Sequence, residues 1–271
     1  GSDSLQRYTI TNDFYLMTTE VTQGMFTSVM QYTPNTNPDF ALGNDLPVYN
    51  VTWHMAAEFA NHVTLRHNTV NGTNLEECYT CSNTTSSPST VTCTEVKIHP
   101  NQCTGYVLPT EMEWEYAARS GSLFDFWTSD GGGEPPLADS NSCGLGVDDT
   151  TVLIVDEATN PPFSNYAWWC GNLSDPTYGE GPKPVGLKLP NGFGLHDMHG
   201  NLMEWTSDYN GCAFPQSSVD PYCGTPDVLS PRINQRGGSW DRDAASARIS
   251  YRTVNEPNYS FDSIGFRLVL H

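Results

Sequence analysis

The stretch Asn191–Trp205, NGFGLHDMHGNLMEW, decides how the rest of the chain is read. It opens on an Asn-Gly turn, and its glycines ease the tight reversals that a loop of this length requires. Phe193, Leu195 and Met198 lie between them as apolar anchors, so the segment reads as a loop pinned to a core. At its end Asn201 and Glu204 stand three residues apart, on a turn whose carbonyls at Gly200 and Leu202 can point inward. An amide oxygen, a carboxylate and two carbonyls form a hard-oxygen set of the kind calcium takes, which makes Gly200, Asn201, Leu202 and Glu204 candidate ligands of a structural calcium ion. The competing reading is a buried turn with a capping Asn and a Glu paired to an arginine.

Outward from this loop, the 271 residues fit a single domain. Only 37% are hydrophobic, whereas Gly 23, Pro 19, Trp 7 and Tyr 13 point to a loop-rich α+β domain with an aromatic core and not to a helical bundle. Twelve basic against 31 acidic residues give a net charge of −19, which repels phosphate backbones and anionic lipid, so no nucleic-acid partner is expected. No apolar run approaches the roughly 20 residues of a membrane span. Gly1-Ser2 has the look of a cloning scar, so any native signal peptide or lipid-attachment cysteine would have been removed upstream of it.

Cysteines stand at Cys78, Cys81, Cys93, Cys103, Cys143, Cys170, Cys212 and Cys223, in segments that otherwise read as loops. An even number in a Thr/Ser/Asn-rich, Lys-poor chain points to disulfides and an oxidising, extracytoplasmic compartment. Cys212 and Cys223 bracket a short loop and are expected to pair, as are Cys143 and Cys170. For Cys78, Cys81, Cys93 and Cys103 two readings stand, two bridges among themselves or a zinc site.

The helices announce themselves by their caps. Thr22 precedes a short helix carrying Met25, Phe26, Val29 and Met30, and Thr52 precedes a second in which Ala56, Phe59, Ala60 and Val63 follow the i, i+3, i+4, i+7 pattern. His54, His62 and His67 are expected on its outer face. Thr110 with Glu113 three residues on forms a capping box behind Pro109, opening a helix that buries Trp114, Ala117 and Ala118 and ends at Arg119 before Gly121. Residues 68–103 read as a disulfide-stapled insertion, with Val91–Val96 as one strand of a hairpin. The acids Asp148, Asp149, Asp156 and Glu157 read as a surface patch. Asn234–Trp240 and Ile264–Leu270 read as strands, the latter turning Ile264, Phe266, Leu268 and Leu270 inward.

Three motifs in order, Leu108–Arg119, Asn191–Trp205 and Arg236-Gly237-Gly238-Ser239-Trp240 followed by Gly265-Phe266-Arg267, resemble the formylglycine-generating-enzyme (sulfatase-modifying-factor) family. Weaker matches at Glu20-Val21-Thr22 and Pro47–Trp53 extend the likeness over nearly the whole chain. The resemblance implies a C-type-lectin-like fold, with short helices around small antiparallel sheets, and it strengthens the expectation of calcium at the organising loop. Oxidases of the family hold copper with two cysteines between the GGS-aromatic motif and the later arginine strand. Soft Cu(I) requires such thiolates, and Asp241–Arg248 contains none, so no copper and no formylglycine-generating activity are expected. Nothing matches the iron-binding bundle of the related sulfoxide synthases.

The C-terminus is most similar to a third branch, the variable proteins of diversity-generating retroelements. The resemblance puts Arg248, Arg252, Pro257, Ile264, Gly265, Phe266 and Arg267 at the places of that branch's fixed residues. Between them Trp240, Asp241, Arg242, Asp243, Ser246, Tyr251, Thr253, Asn255, Tyr259, Phe261 and Asp262 form the candidate ligand surface, an aromatic and small-polar mixture like that of antibody paratopes. The expected function is an extracytoplasmic display module for a protein or glycan, its fixed arginines turned inward. The alternative is a divergent, metal-dependent oxidative enzyme with a cleft built by Trp205, Trp240 and Tyr251.

Overall fold

The computed structural model describes residues 7–35, 40, 42–83, 90–95, 99–127, 163–173, 176–212, 218–225 and 231–271. In chain order its elements are β1 (Tyr15–Leu16), α1 (Gln23–Met30), α2 (Trp53–Asn71), β2 (Tyr79–Asn83), β3 (Val91–Glu95), β4 (Tyr106–Val107) and α3 (Glu111–Arg119). They continue as β5 (Ala167–Trp168), β6 (His199–Gly200), β7 (Met203–Tyr209), β8 (Ile233–Arg236), β9 (Arg252–Asn255), β10 (Ile264–Gly265) and β11 (Val269–Leu270). The strands form small sheets of order β1-β11-β4, β10-β7-β8-β9, β2-β3 and β5-β6, and loops make up most of the remainder. This is a loop-rich α+β architecture.

The helices begin where their caps place them. Thr22 Oγ1 accepts from Met25 N at 3.2 Å, Thr52 Oγ1 from Met55 N at 3.1 Å, and Thr110 and Glu113 form the reciprocal box. α1 and α2 meet through Phe26 stacked on Phe59, with ring centroids 5.4 Å apart, and Phe266 packs edge-on against Phe59 at the same separation. That aromatic trio joins both helices to the C-terminal segment. α3 ends with Ser120 in the left-handed region at φ 46°, one residue before Gly121.

Two expectations about the helices and strands change. His54 is buried, because the hairpin β2–β3 packs on α2; its Nδ1 accepts from Cys93 N at 3.1 Å, and burial pushes its pKa below the ordinary value. Ile264–Leu270 does not form one alternating strand: it splits into β10, parallel to β7, and β11, antiparallel to β1 and β4. A chain passing between two sheets is covered on both sides, so Gly265, Arg267 and Val269 are as buried as the apolar residues between them.

Cys78–Cys103 and Cys81–Cys93 are disulfides, the latter joining directly opposed residues of β2 and β3, which removes the zinc reading. Cys212–Cys223 is also a disulfide, and Cys170 is disulfide-bonded, while Cys143 lies outside the described residues. Each closed loop stabilises the fold by roughly 2–4 kcal/mol. Since α2 continues through Asn71, the stapled excursion begins beyond it and not at residue 68. Val96 and the acids Asp148, Asp149, Asp156 and Glu157 lie outside the described residues. No helix among the described residues is long and apolar enough to cross a membrane.

The two stapled excursions are tied together by Tyr222 Oη, which donates to Glu95 Oε2. Burial pushes the Glu95 carboxyl up to about 7 from its ordinary 4.5. The folded state therefore keeps a proton that the unfolded chain releases. The resulting stability is fully present below the unfolded value and is lost as pH rises through the folded one; each tenfold difference in proton affinity between the two states is worth roughly 1.4 kcal/mol. Glu95→Gln should flatten this loss: between pH 5 and pH 8 the wild-type melting temperature should fall by more than that of the variant. Parallel melting curves across that range would remove Glu95 as the titrating group.

Candidate functional site

The loop singled out in the sequence ends in a buried ion pair. Glu204, on β7, accepts from Arg267 Nη2 at 2.7 Å through Oε1, and from Arg267 Nε and Trp114 Nε1, each at 2.8 Å, through Oε2. Both charged side chains are fully buried, and Arg267 also donates through Nη1 to Met17 O and through Nη2 to His196 O. Asn201, in the left-handed region at φ 56°, accepts from Lys183 N at 3.0 Å through Oδ1; its Nδ2 donates to Lys183 O and Glu20 Oε2. Of the two readings of this loop, the arginine-paired turn is the one built. The Asn201 and Glu204 side chains named as calcium ligands accept from protein donors as well, Lys183 N for the amide and Arg267 with Trp114 for the carboxylate.

Two further carboxylates were not anticipated. Glu20 accepts from Leu202 N at 3.3 Å, and Asp197 accepts from Gly186 N at 2.7 Å. Both are buried; burial first, then neighbouring carboxylates, pushes Glu20 well above its ordinary value, and burial raises Asp197. Asp197 Oδ1 is buried with no hydrogen-bond partner among the described residues. Three carboxylates therefore gather around Arg267. Gly200 closes the loop against β5: a Cβ there would lie 1.9 Å from Trp168 O, and its φ of +77° already favours glycine.

A second polar network holds the sheet against α3. Arg236 is fully buried; Nη2 pairs with Glu115 and Nη1 donates to Tyr251 O at 2.7 Å. Arg252 Nε reaches Glu111 at 2.8 Å, although its side chain is 48% exposed. The inward arginines are thus Arg267 and Arg236, with Arg252 spanning from solvent to a buried acid and Arg248 half-buried.

The candidate surface divides in two. Thr253 and Asn255 on the edge strand β9, and Tyr251 just before it, are half-buried and alternate with Arg252, so they share the face opposite α3; Asn255 Nδ2 donates to Gln235 Oε1 there at 2.9 Å. Tyr259 and Phe261 are 42% and 45% exposed and stack with centroids 6.2 Å apart and planes 18° from parallel. Arg242 is exposed. Asp241 and Asp262 are half-buried, and burial followed by the Asp241 charge raises the Asp262 pKa.

The other candidates are scaffold. Trp240 is 9% exposed, its ring 5.3 Å from Phe40 in a cluster with Tyr49 and Leu202. Ser246 is buried, and both its N and Oγ donate to Asp243 Oδ1 at 2.8 Å, which makes Asp243 the cap of the short 3-10 helix Ala244–Ala247. Trp205 is fully buried with Nε1 on Val51 O, so it walls no cleft with Trp240 and Tyr251. Glu20, Glu111, Glu115, Asp197 and Arg236 carried no role in the sequence, although all five sit within the motifs already noted. Their partners stand far off in the chain, 121 residues away for Glu115 and Arg236.

Comparison with known proteins agrees with this architecture. The profile of the sulfatase-modifying factor enzyme 1-like domain matches residues 3–271. A chaperone protein LppX from Paenibacillus barcinonensis is 28% identical over 269 residues, 95% of this chain and 80% of that protein. A formylglycine-generating enzyme from Streptomyces coelicolor is 30% identical over 187 residues, 64% of this chain and 51% of the enzyme, so the matched region spans about half of that relative. Among solved structures, Treponema denticola variable protein 1 superposes with a TM-score of 0.64 at 25% identity, covering 95% of this chain and 84% of that one. PvdO from Pseudomonas aeruginosa, at TM-score 0.58 and 19% identity over 95% of this chain and 80% of its own, shares the fold.

Removing Arg267 would leave Glu204 without its cation and Glu20 and Asp197 without theirs. Arg267→Ala should therefore destabilise the fold by about 3–5 kcal/mol, whereas Arg252→Ala, at a half-exposed pair, should cost about 1 kcal/mol. Urea unfolding of the two variants measures the difference; equal, small losses would mean that the buried pair is not the anchor.

Proposed function

The chain belongs to the sulfatase-modifying factor enzyme 1-like domain family, and on that premise we propose that it is an extracytoplasmic binding module and not an oxidase. The observation that carries this reading is the exposed, stacked pair Tyr259–Phe261 on the loop after the edge strand β9. Large rings left in water beside small polar groups are the composition of binding hot spots. Tyr251, Thr253, Asn255, Arg242, Asp241 and Asp262 extend that surface, and Trp240, Asp243 and Ser246 support it from beneath. The ligand is a protein or a glycan. The likeness to a protein named a variable protein and to one named a chaperone supports a use of the scaffold without chemistry. So does the state of the cysteines: Cys78, Cys81, Cys93, Cys103, Cys212 and Cys223 are all bridged, leaving no thiolate among them for Cu(I). The same bridges support an oxidising compartment.

We further propose a structural calcium at the organising loop, with a revised donor set. Asp197 Oδ1, which lacks a partner among the described residues, and Glu20 would supply the carboxylates, and the carbonyls of Gly200 and Leu202 the neutral oxygens. A dication there would neutralise the negative excess that one arginine leaves.

Two measurements check these readings. The protein and its Tyr259→Ser/Phe261→Ser double variant should be applied to glycan and extracellular-protein arrays; wild-type signals should fall by about tenfold or more in the variant with the melting temperature unchanged. Identical patterns, or none, would overturn the display reading. For calcium, chelator should lower the melting temperature of wild type but not of Asp197→Asn. An unchanged melt with no metal by elemental analysis would leave the three carboxylates to Arg267.

A further inference from the structure

We propose that a second binding site, separate from the Tyr259–Phe261 surface, lies along the open edge of β1, and that it takes an extended, basic and apolar peptide segment of a partner protein. A groove of about 770 Å³ runs there between the N-terminal segment, α3 and the loop carrying Phe193. Three features of this chain choose the occupant.

The first is backbone geometry. β1 is the outer strand of its sheet, pairing with β11 in the register Tyr15↔Leu270 and Leu16↔Val269, and Met17 N continues the ladder to Leu268 O at 3.0 Å. Antiparallel pairs alternate between exchanging their hydrogen bonds and facing away. Met17, and with it Tyr15, bonds toward β11, so the N–H and C=O of Leu16, which lines the groove, point to the other side; beyond it Thr18 O is taken by His196 N at 2.8 Å, so the open stretch runs from Leu16 back toward Phe14. An unpaired edge of this kind templates a strand, and it does so at a spacing that a glycan backbone does not share.

The second is the apolar wall. Phe14 meets Tyr116 edge-on with centroids 6.2 Å apart, and Tyr116 meets Phe193 at 5.7 Å. Tyr116 and Phe193 are 53% and 51% exposed, and neighbouring Tyr15 is 78% exposed. This places a row of large rings in water along the groove, where alternate side chains of an added strand would cover them.

The third is charge. Arg119, the cation on the wall, is already paired with Glu115 at 2.6 Å. Asp13, also on the wall, takes no partner among the described residues. The uncommitted charge of the groove is negative, in a protein whose net charge is −19, so a basic segment is attracted and an acidic one repelled.

The test uses the full chain and fluorescein-labelled positional-scanning pools of peptides about nine residues long, a length that spans an ordinary strand. Fluorescence anisotropy should show basic-apolar pools binding and acidic pools not. Asp13→Lys and Phe193→Ser, both at solvent-facing positions, should each weaken the selected peptide by about tenfold while their melting curves stay with wild type. N-methylation of alternate peptide amides should abolish binding in one register and spare it in the other, because only one set of amides faces β1. The Tyr259→Ser/Phe261→Ser variant should bind the peptide as wild type does, which separates failure here from failure of the display reading. Absence of pool preference, indifference to both groove variants, equal effects of the two N-methyl registers, or displacement by a neutral oligosaccharide would each overturn the proposal.

Discussion

The interaction on which the rest depends is the pairing of Glu204 with Arg267 in a site that excludes water. A carboxylate and a guanidinium taken out of solvent lose several kcal/mol of hydration each, and only a geometry that fills every donor and acceptor offsets that loss. Here every guanidinium nitrogen has a partner: Nε and Nη2 donate to Glu204, Nη2 also to His196 O and Nη1 to Met17 O, and the Trp114 indole adds a third bond to the carboxylate. Those contacts come from β7, α3, the N-terminal segment, the organising loop and the crossing between β10 and β11. Among the described residues no other ion pair joins so many elements, and this explains why the C-terminal segment changes sheets at Arg267 and does not continue as one strand.

Around that pair the fold distributes its charges unevenly. Glu20 and Asp197 crowd the same arginine, and burial raises both. Arg236 and Arg252 meet Glu111 and Glu115 under the adjacent sheet. The arginines thus act as struts between α3 and the strands, while on the other face of the sheet Ile233 and Gln235, opposite Asn255 and Thr253, are fully buried. Tyr251, Thr253 and Asn255 sit half-buried at the edge of that face, where β9 is the outer strand. The disulfides do similar work at the periphery, where segments with little apolar content gain order from covalent closure.

Much was legible because it is local. The Thr22, Thr52 and Thr110 caps bond to amides three residues on, so the helix starts could be read from a few adjacent residues. Cys212 and Cys223 close a short loop and could be paired on spacing, whereas the partners within Cys78, Cys81, Cys93 and Cys103 stayed open until the register of β2 and β3 set them. The family motifs carried the fold because they hold the residues that pack at its centre: Trp114, Glu204, Trp205 and Arg267 are all fully buried.

What the tertiary structure alone decided is the identity of partners across long separations. The sequence of the organising loop left the partner of Glu204 unnamed, and the one it takes, Arg267, stands 63 residues away. His54 occupies a polar-looking helix position, yet the arrival of β3 buries it. Trp240 lies beside surface residues in the chain, yet Phe40 and Tyr49, brought in from some two hundred residues earlier, cover it. By itself the sequence determined the helices, the bridges that close short loops and the family architecture, since these depend on spacing along the chain. Burial and charge pairing depend on which distant segments are brought into contact, and no local pattern encodes that.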